Sequence, residues 1–395
     1  MIVKDFCNYP WTHFEVNNPN GDVTMCCDSH IVLGNVNKQS IIEIWNGEGY
    51  RKIRNDMLTK GAHTVCSSEC AVLKGFKSYQ NLDWYKNLEK DSPLFLNAQK
   101  NDNEISEGKL TLSSMPRWMR FAYSYVCNLN CYHCYQARIR KEKLSLQETF
   151  IRQVFDLSQF YQVLFYYGGE PFLYEPARRL LKSAQVNPHC RHFFVTNATL
   201  LDNELFETLQ EKEIGIMSCS LDAANEKTYK ILRKGGNWQK VLQNLERISD
   251  MKKTKNFVFS ITLTVNSLNA LELEKFCDMG ISLGAEPMIT LVDNPFGSLD
   301  FQREYLHFSA SLVTQMMEQI DRSIEKLKVN DYKDAIIIWQ YTRQRIWNHF
   351  KSDNNLFKFY IKKKVHNILK VSPILKRLIS IMKKSNEMKD FEYEI

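Results

Sequence analysis

The sequence lacks an apolar signal core at its N-terminus and any run of 18 apolar residues. The first absence predicts that the chain is not exported, and the second excludes a transmembrane helix. No internal repeat and no low-complexity tract is visible, so nothing indicates a repeat architecture. A chain of 395 residues with 44% hydrophobic and 25% charged residues is instead typical of a soluble globular protein of two or three domains.

Cysteine is not among the scarce residues, since the chain carries 11. In a reducing cytoplasm, which the missing export signal predicts, cysteines are more often metal ligands than disulfides. The cysteine spacings therefore indicate metal sites. Three cysteines outside any such spacing are predicted to be small buried hydrophobic residues, namely Cys190, Cys219 and Cys277.

The net charge of +7 comes from the C-terminal tail, because residues 351–384 carry ten Lys or Arg and one acid. Two helices predicted over 355–370 and 374–384 place apolar and basic residues on opposite faces, which is typical of a segment lying on an anionic membrane. Packing on the body, a partner protein or nucleic acid would suit the same pattern, and no clear nucleic-acid signal accompanies it. We expect a cytoplasmic protein, with peripheral membrane contact as one candidate role of 355–384.

One short stretch holds three cysteines in the spacing C-x3-C-x2-C, directly after an apolar, aromatic run typical of a strand. Cys127, Cys131 and Cys134 would therefore lie on a loop at a strand end. Three thiolates on one short loop suit three corners of a [4Fe-4S] cluster and leave its fourth iron open. A zinc site is the alternative, but structural zinc takes four protein ligands and no fourth thiol lies nearby in sequence.

Strand-like and helix-like runs alternate from Pro116 to about Asp300. Strands are predicted over 117–126, 161–167, 191–196, 214–221, 256–265 and 287–292. Helices are predicted between them over 144–158, 173–186, 202–212, 238–252 and 269–282. Six strands with intervening helices imply an α/β fold with a parallel sheet, curved or barrel-like. Helical patterns predominate afterwards, over 301–327 and 332–350, which predicts a helical extension over 301–395.

Glycines and polar residues follow several of these strands. Gly168 and Gly169 come at the end of the second strand, where two glycines let the backbone approach a ligand closely. Asn197 follows the third strand and would either face a ligand or cap the next helix. In the fourth strand the period of two places Ser218, Ser220 and Asp222 on one face.

The cysteine loop and these strand ends together resemble the radical S-adenosylmethionine (SAM) superfamily, whose core is a (β/α)6 partial barrel. The resemblance implies that Cys127, Cys131 and Cys134 bind a [4Fe-4S] cluster and that SAM chelates the open iron. One electron then cleaves SAM to methionine and a 5′-deoxyadenosyl radical, which takes a hydrogen atom from the substrate. His133 fills the position where the family prefers an aromatic residue, whereas Ala198 stands where the family usually has glycine.

The resemblance also assigns SAM contacts. It places the SAM amino group against the Gly-Gly-Glu-Pro motif, and it matches Arg233 to an arginine that pairs with a carboxylate. A solvated helix charge is the alternative for Arg233. The full set of implied cofactor contacts is Gly168, Gly169, Glu170, Asn197, Ser220, Arg233 and Asn266.

A second cysteine group lies in residues 1–80. A predicted β-hairpin with a turn at 17–21 brings Cys7 and Cys26 together, and Cys66 and Cys70 supply a second pair. Four thiolates suit a fully ligated [4Fe-4S] cluster or a zinc ion. Since Cys27 adjoins Cys26, either could be the second ligand, and Cys26 is favoured.

This module resembles the SPASM/twitch auxiliary-cluster domains of radical SAM enzymes, here placed before the core. The implied organisation is an auxiliary cluster module over 1–80, a linker with some helix over 81–115, the radical SAM core over 116–300 and the helical extension over 301–395. The full SPASM pattern binds two clusters with seven cysteines, whereas this module offers five, so one auxiliary cluster is predicted.

The resemblance predicts an enzyme that abstracts hydrogen from a small polar metabolite, such as a sugar or cyclitol. A fully ligated auxiliary cluster has no iron free for substrate, so a net oxidation with that cluster as electron acceptor is expected. Flavodoxin or ferredoxin would supply the reducing electron. The alternatives are a maturase that crosslinks or epimerises a ribosomal peptide, although no peptide-binding winged-helix domain is visible before Cys7, and a zinc-binding interaction protein without catalysis.

Overall fold

In the computed structural model, the described residues are 6–26, 29, 31–66, 70, 73, 82–134, 136, 144–292 and 305–371, with only the backbone described from 353 onward. Nine strands of these described residues form one sheet. They are β1 (His13–Val16), β2 (Asp22–Thr24), β3 (Gly34–Asn35), β4 (Trp118–Ala122), β5 (Val163–Tyr167), β6 (Arg191–Thr196), β7 (Ile214–Ser220), β8 (Val258–Val265) and β9 (Glu286–Leu291).

The six strands from β4 to β9 are parallel and lie side by side in chain order. All six predicted strands therefore form, and the predicted α/β class with a partial-barrel core is confirmed. Apolar residues predominate in β4 and β5, and buried side chains of all six strands belong to the main hydrophobic cluster. The carboxyl ends of these strands consequently lie along one edge, where ligand sites of parallel sheets are found.

Helices connect the parallel strands. They are α5 (Glu148–Asp156), α6 (Glu175–Lys182), α7 (Asn203–Glu211), α8 (Glu226–Leu232), α9 (Trp238–Thr254) and α10 (Leu273–Ser282). Five of them match the predicted helices. The seven-residue α8 was not given bounds from the sequence, because two turns carry too little periodicity; it begins at Asn225, whose side chain accepts a hydrogen bond from the amide of Thr228.

The N-terminal hairpin continues the barrel sheet. Strand β1 pairs in parallel with β4, in a register that sets Glu15 beside Arg120, and β2 and β3 extend the sheet antiparallel on its far side. Helices α1 (Tyr9–Thr12), α2 (Ile41–Trp45) and α3 (Glu48–Thr59) also belong to the module. The rings of Trp45 and Tyr50 pack under Phe14 of β1, so the module and the core share one hydrophobic cluster.

The segment predicted as a linker contains α4 (Pro93–Ser106), which begins at the capping residue Ser92. Asn101 donates to the carbonyl of Trp11 at 2.7 Å, and Asp102 lies 2.5 Å from Arg117, the residue before β4. Because Trp11 belongs to the module and Arg117 to the core, α4 contacts both of them.

In the part of the chain after β9 that the structure describes, the helices are α11 (Ala310–Val329) and α12 (Lys333–Val371). Helix α12 covers the edge of the sheet: Trp339 and Thr342 donate to the carbonyls of Pro287 and Ile289 in β9, at 2.7 and 3.0 Å. The predicted break between 350 and 355 is absent, since Asp and Asn in a helix cost only a fraction of 1 kcal/mol each. The predicted helix 374–384 lies outside the described residues. None of the helices among the described residues has the length and apolarity needed to cross a membrane.

Candidate active site

The loop with the three predicted cluster cysteines leaves β4 and is fixed by its backbone. The amides of Asn130 and Tyr132 donate to the carbonyls of Lys234 and Leu232, at 2.8 and 3.0 Å, so the end of α8 lies against the loop. On the other side, the amide of Glu170 donates to the carbonyl of Val126 at 2.9 Å. The cysteines therefore sit between two neighbouring loops of the barrel.

A cavity of about 450 Å³ opens beside this loop, at the carboxyl ends of the strands. Its lining contains all three cysteines and most of the predicted SAM contacts. The predicted residues that line it are Cys127, Cys131, Cys134, Gly168, Gly169, Asn197, Ser220 and Arg233. Two predicted contacts, Glu170 and Asn266, are not among the lining residues.

The two glycines lie tightly against the cysteine loop. Both have positive φ, 81° at Gly168 and 56° at Gly169. A Cβ added at Gly169 would lie 2.1 Å from the carbonyl oxygen of Val126, and one at Gly168 would lie 2.8 Å from the Cβ of Ala122. Glycine is required here because two loops approach each other, in addition to any approach of a ligand.

Glu170 is buried and holds two strand ends together. Its carboxylate accepts hydrogen bonds from the Thr196 hydroxyl (2.7 Å), the Asn197 amide (2.8 Å) and the Phe172 amide (3.3 Å). Burial raises the pKa of this carboxyl to about 7, although the three donated hydrogen bonds oppose that rise. The structure thus places Glu170 beneath the cavity as a link between the ends of β5 and β6.

Asn197 faces the cavity and does not cap the next helix. Its Nδ2 donates to Oδ1 of Asn128 at 3.0 Å and lies 3.6 Å from Sγ of Cys127, while its Oδ1 accepts from the amide of Thr199. Helix α7 is capped by Asp202 instead. Of the two sequence interpretations, the position facing a ligand is therefore the one that the geometry fits.

Asp222 is a buried carboxylate that the cofactor contacts predicted from the sequence did not include. Its Oδ2 lies 2.6 Å from Nη2 of Arg233 and 3.1 Å from Nε2 of His133, and its Oδ1 accepts from the amide of Thr264. Burial by itself would raise the pKa of this carboxyl, but Arg233 and His133 outweigh it and hold the pKa well below its usual range. The period of two along the fourth predicted strand put Asp222 on the same face as Ser220. This pattern was the feature of the sequence that could have identified Asp222 as a site residue.

Arg233 is not a solvated helix charge, because it is only 9% exposed. It pairs with Asp222, and its Nη1 lies 3.7 Å from Sγ of Cys131. Asn266 is fully buried after β8; its side chain donates to the carbonyl of Thr264 and accepts from the amide of Leu268. Asn266 therefore stabilises the turn after β8.

The cysteines of the N-terminal module are mostly buried. Cys7, Cys26 and Cys70 are each at most 5% exposed, and Cys66 is partly exposed. Burial raises the pKa of the Cys7 thiol to about 12, and the neighbouring Cys70 contributes to the rise. Since Cys27 lies outside the described residues, the preference for Cys26 over Cys27 stays a prediction.

The donor chemistry of both groups fits iron–sulfur clusters, which are held by cysteine thiolates. Burial raises the pKa of Cys131 to about 11, although the Arg233 guanidinium opposes the rise. All three loop cysteines line the same cavity. Across the part of the chain that the structure describes, no three His, Cys, Asp or Glu side chains are grouped to hold a metal ion as they stand. The ligand sets therefore stay predictions. Cys190, Cys219 and Cys277 are buried in the core.

Comparison with known families gives two matches. The model of the radical SAM superfamily matches residues 122–280, and the model of an iron-sulfur cluster-binding domain, SPASM, matches residues 7–71. These ranges include the cysteine loop with its cavity and the N-terminal cysteine group, respectively.

The following individual relatives are each less than 30% identical to this chain. The AdoMet-dependent heme synthase of Methanosarcina barkeri is 29% identical over 182 residues, 45% of this chain and 50% of that protein. The antilisterial bacteriocin subtilosin biosynthesis protein AlbA of Bacillus subtilis is 23% identical over 303 residues, 73% of this chain and 64% of that protein. Among solved structures, Streptococcus suis SuiB has a TM-score of 0.42 at 17% identity, covering 61% of this chain and 54% of SuiB. The chain thus spans about half the length of the heme synthase and of SuiB.

Proposed function

Because the chain belongs to the radical SAM superfamily and carries a SPASM iron–sulfur domain before its barrel, we propose that the cavity beside Cys127, Cys131 and Cys134 binds SAM against a [4Fe-4S] cluster on these cysteines. The bound cluster would supply the electron that cleaves SAM to methionine and a 5′-deoxyadenosyl radical, which takes a hydrogen atom from the substrate. The auxiliary cluster would be held by Cys7, Cys26, Cys66 and Cys70.

One observation carries this proposal: three cysteines and five predicted SAM contacts, drawn from five separate segments of the barrel, line one cavity at the strand ends. Arg233 presents a buried guanidinium suited to the SAM carboxylate. Ser220 and Asn197 add hydroxyl and amide groups, and the glycine pair leaves room for backbone contact. These residues would bind and orient the amino-acid part of SAM next to the cysteine loop.

Anaerobic reconstitution followed by reduction with dithionite tests this function. The wild-type protein is expected to release 5′-deoxyadenosine slowly without substrate. Cys131→Ala is expected to abolish release, whereas Cys219→Ala, a buried cysteine on β7, is the matched control and should release it at the wild-type rate. Equal release from the wild type and Cys131→Ala would contradict the proposal, because the cleavage would then not depend on the cysteine loop.

For the substrate, we propose a small polar metabolite such as a sugar or cyclitol, oxidised with the auxiliary cluster as electron acceptor. Polar side chains that line the cavity support this class, namely Gln136, Asn197, Thr264 and Thr290. The double variant Cys66→Ala, Cys70→Ala is expected to cleave SAM when substrate is supplied but to give little oxidised product. A normal yield of oxidised product would show that electrons leave by another route.

A peptide is the second candidate substrate, favoured by the similarity over 73% of this chain to AlbA, which is named for the biosynthesis of a bacteriocin. Cells expressing the wild type or Cys131→Ala distinguish the two candidates. A difference confined to small metabolites supports the first candidate, and a mass change in a ribosomal peptide supports the second. A single-electron donor such as flavodoxin or ferredoxin is proposed as the reducing partner in either case.

A further inference from the structure

Tyr167 lies between the two cysteine groups. It is the last residue of β5, directly before the glycine pair, and its side chain lines the cavity beside the cysteine loop. Its hydroxyl donates a hydrogen bond across the sheet to Asn17, the residue after β1, at 2.7 Å from the backbone carbonyl and 3.0 Å from Oδ1. Since β1 belongs to the N-terminal module, this contact joins the cavity wall to that module.

The hydrogen bonds continue from Asn17 to Cys26. Nδ2 of Asn17 donates to the Thr24 hydroxyl at 2.5 Å and lies 3.5 Å from the carbonyl oxygen of Cys26. The Thr24 hydroxyl and the amide of Ser29 also donate to that carbonyl, at 3.0 and 3.2 Å. Three donors therefore converge on the backbone of one predicted cluster ligand, and one of them is oriented by Tyr167.

A second contact fixes the same tyrosine. The guanidinium of Arg120 lies over the Tyr167 ring, 4.0 Å from its centroid, and forms an ion pair with Glu15 of β1 at 3.0 Å. Glu15 and Asn17 point to the same face of the sheet, two residues apart. The module thus holds the Tyr167 ring through Arg120 and the Tyr167 hydroxyl through Asn17.

We infer that Tyr167 is a positioning residue that couples the SAM cavity to the backbone around Cys26, with Asn17 as the intermediate. The inference rests on the proposed function, because it takes Cys26 as an auxiliary cluster ligand. Hydrogen bonds and the dipoles around a cluster's ligands help to set its reduction potential. The hydrogen atoms of these donors carry partial positive charge and converge on the carbonyl oxygen of Cys26. Positive charge beside a cluster ligand stabilises the additional negative charge of a reduced cluster. Loss of the order of these donors therefore lowers the reduction potential.

The experiment uses the full-length Cys127→Ala, Cys131→Ala, Cys134→Ala variant, in which only the auxiliary cluster is expected. Tyr167→Phe removes one hydroxyl in this background. Tyr166→Phe is the matched control, since the neighbouring hydroxyl lies on the opposite face and contacts His192 at 3.0 Å. We expect a lower reduction potential and altered electron paramagnetic resonance g-values in Tyr167→Phe, with both unchanged in Tyr166→Phe. Asn17→Ala is expected to shift the potential in the same direction, and the combined variant no further.

Hydrogen–deuterium exchange provides a second readout, with faster exchange expected over residues 22–26 in Tyr167→Phe than in Tyr166→Phe. An unchanged potential and unchanged exchange in Tyr167→Phe, with the cluster present, would overturn the inference. A shift in Asn17→Ala alone would also overturn it, because Asn17 would then act without Tyr167. Absence of iron from the background variant would instead contradict the ligand assignment of the proposed function, so the two failures are distinguishable.

Discussion

Nη2 of Arg233 lies 2.6 Å from Oδ2 of Asp222, and this ion pair is buried below the cysteine loop. Asp222 follows β7 and Arg233 follows α8, so the pair connects two elements on which the cavity depends. The backbone of Asp222 is left-handed, with φ of 60°, a conformation that costs a non-glycine residue about 1–3 kcal/mol. The surrounding contacts must offset that cost, which indicates that the position of this carboxylate matters.

Asp222→Ala is therefore expected to be strongly destabilising. It leaves Arg233 buried without a counter-charge, which typically costs about 3–5 kcal/mol. Asp222→Asn should cost less, since asparagine tolerates the left-handed conformation and still accepts from the amide of Thr264. Urea unfolding measures both free energies, with Asp278→Ala as the control because its ion pair with Lys326 is exposed. Equal stability of Asp222→Ala and Asp278→Ala would show that the buried pair contributes little.

Arg233→Lys tests whether the guanidinium of the same ion pair contributes to SAM binding. Lysine keeps the charge, so Asp222 retains a counter-charge, but its single ammonium cannot form the two-pronged contact with a carboxylate. Loss of one charged hydrogen bond, about 1.5–3 kcal/mol, is expected to raise the dissociation constant of SAM by about tenfold or more. Equilibrium binding to the reconstituted protein measures this change at equal iron content. Lys230→Ala, at an exposed position of α8, is the control. Wild-type affinity in Arg233→Lys would remove Arg233 from the SAM site.

Local sequence patterns predicted the strands and the cavity well, for physical reasons. Each parallel strand is a short apolar run bounded by polar residues, and loops that follow parallel strands meet at one edge. Cys127, Gly168, Asn197 and Ser220 were therefore predicted to lie near one another, and the structure places all four around one cavity.

Contacts between distant segments were not predictable in the same way. The pairing of β1 with β4 joins residues about a hundred positions apart, and a four-residue strand carries no signal for its partner. The same limit applies to Asp222 and Arg233, since their contact depends on how α8 returns to the cysteine loop. Glu170 shows a third case: its motif marked it as a ligand contact, whereas its burial and the hydrogen bonds that it accepts from Thr196 and Asn197 at the end of β6 appear only in the folded chain.

Glu170 is expected to make the stability of the metal-free protein dependent on pH. Its pKa is raised from 4.5 to about 7 in the folded state, so the folded protein binds this proton more tightly than the unfolded chain. Stability from this group is fully present below pH 4.5 and is lost as the pH rises through 7, by about 3 kcal/mol at about 1.4 kcal/mol per pKa unit. Urea unfolding at pH 5 and pH 8 should show this loss in the wild type.

Glu170→Gln cannot ionise and should show a correspondingly smaller difference between the two pH values, whatever its absolute stability. Glu211→Gln replaces an exposed carboxylate at the end of α7 and should behave like the wild type. If Glu170→Gln and the wild type lost the same free energy between pH 5 and pH 8, the hydrogen bonds from Thr196, Asn197 and Phe172 would be shown to offset burial, so that the pKa of this carboxyl is the same in the folded and unfolded chain.

The two cysteine groups are expected to hold iron independently, because one lies in the N-terminal module and the other on the loop after β4. Seven ligands in two [4Fe-4S] clusters predict about eight iron and eight sulfide per reconstituted chain. Cys127→Ala, Cys131→Ala, Cys134→Ala should retain about four of each, and the complementary Cys7→Ala, Cys26→Ala, Cys66→Ala, Cys70→Ala should retain the other four. The double variant Cys190→Ala, Cys277→Ala is the control, because both of these buried cysteines lie outside the two groups. It should keep about eight iron and eight sulfide.

Iron and sulfide assays measure the contents, and circular dichroism checks that each variant is folded, since a cluster can also stabilise its module. Zinc without sulfide in the N-terminal group would contradict the auxiliary cluster while leaving the barrel cluster intact.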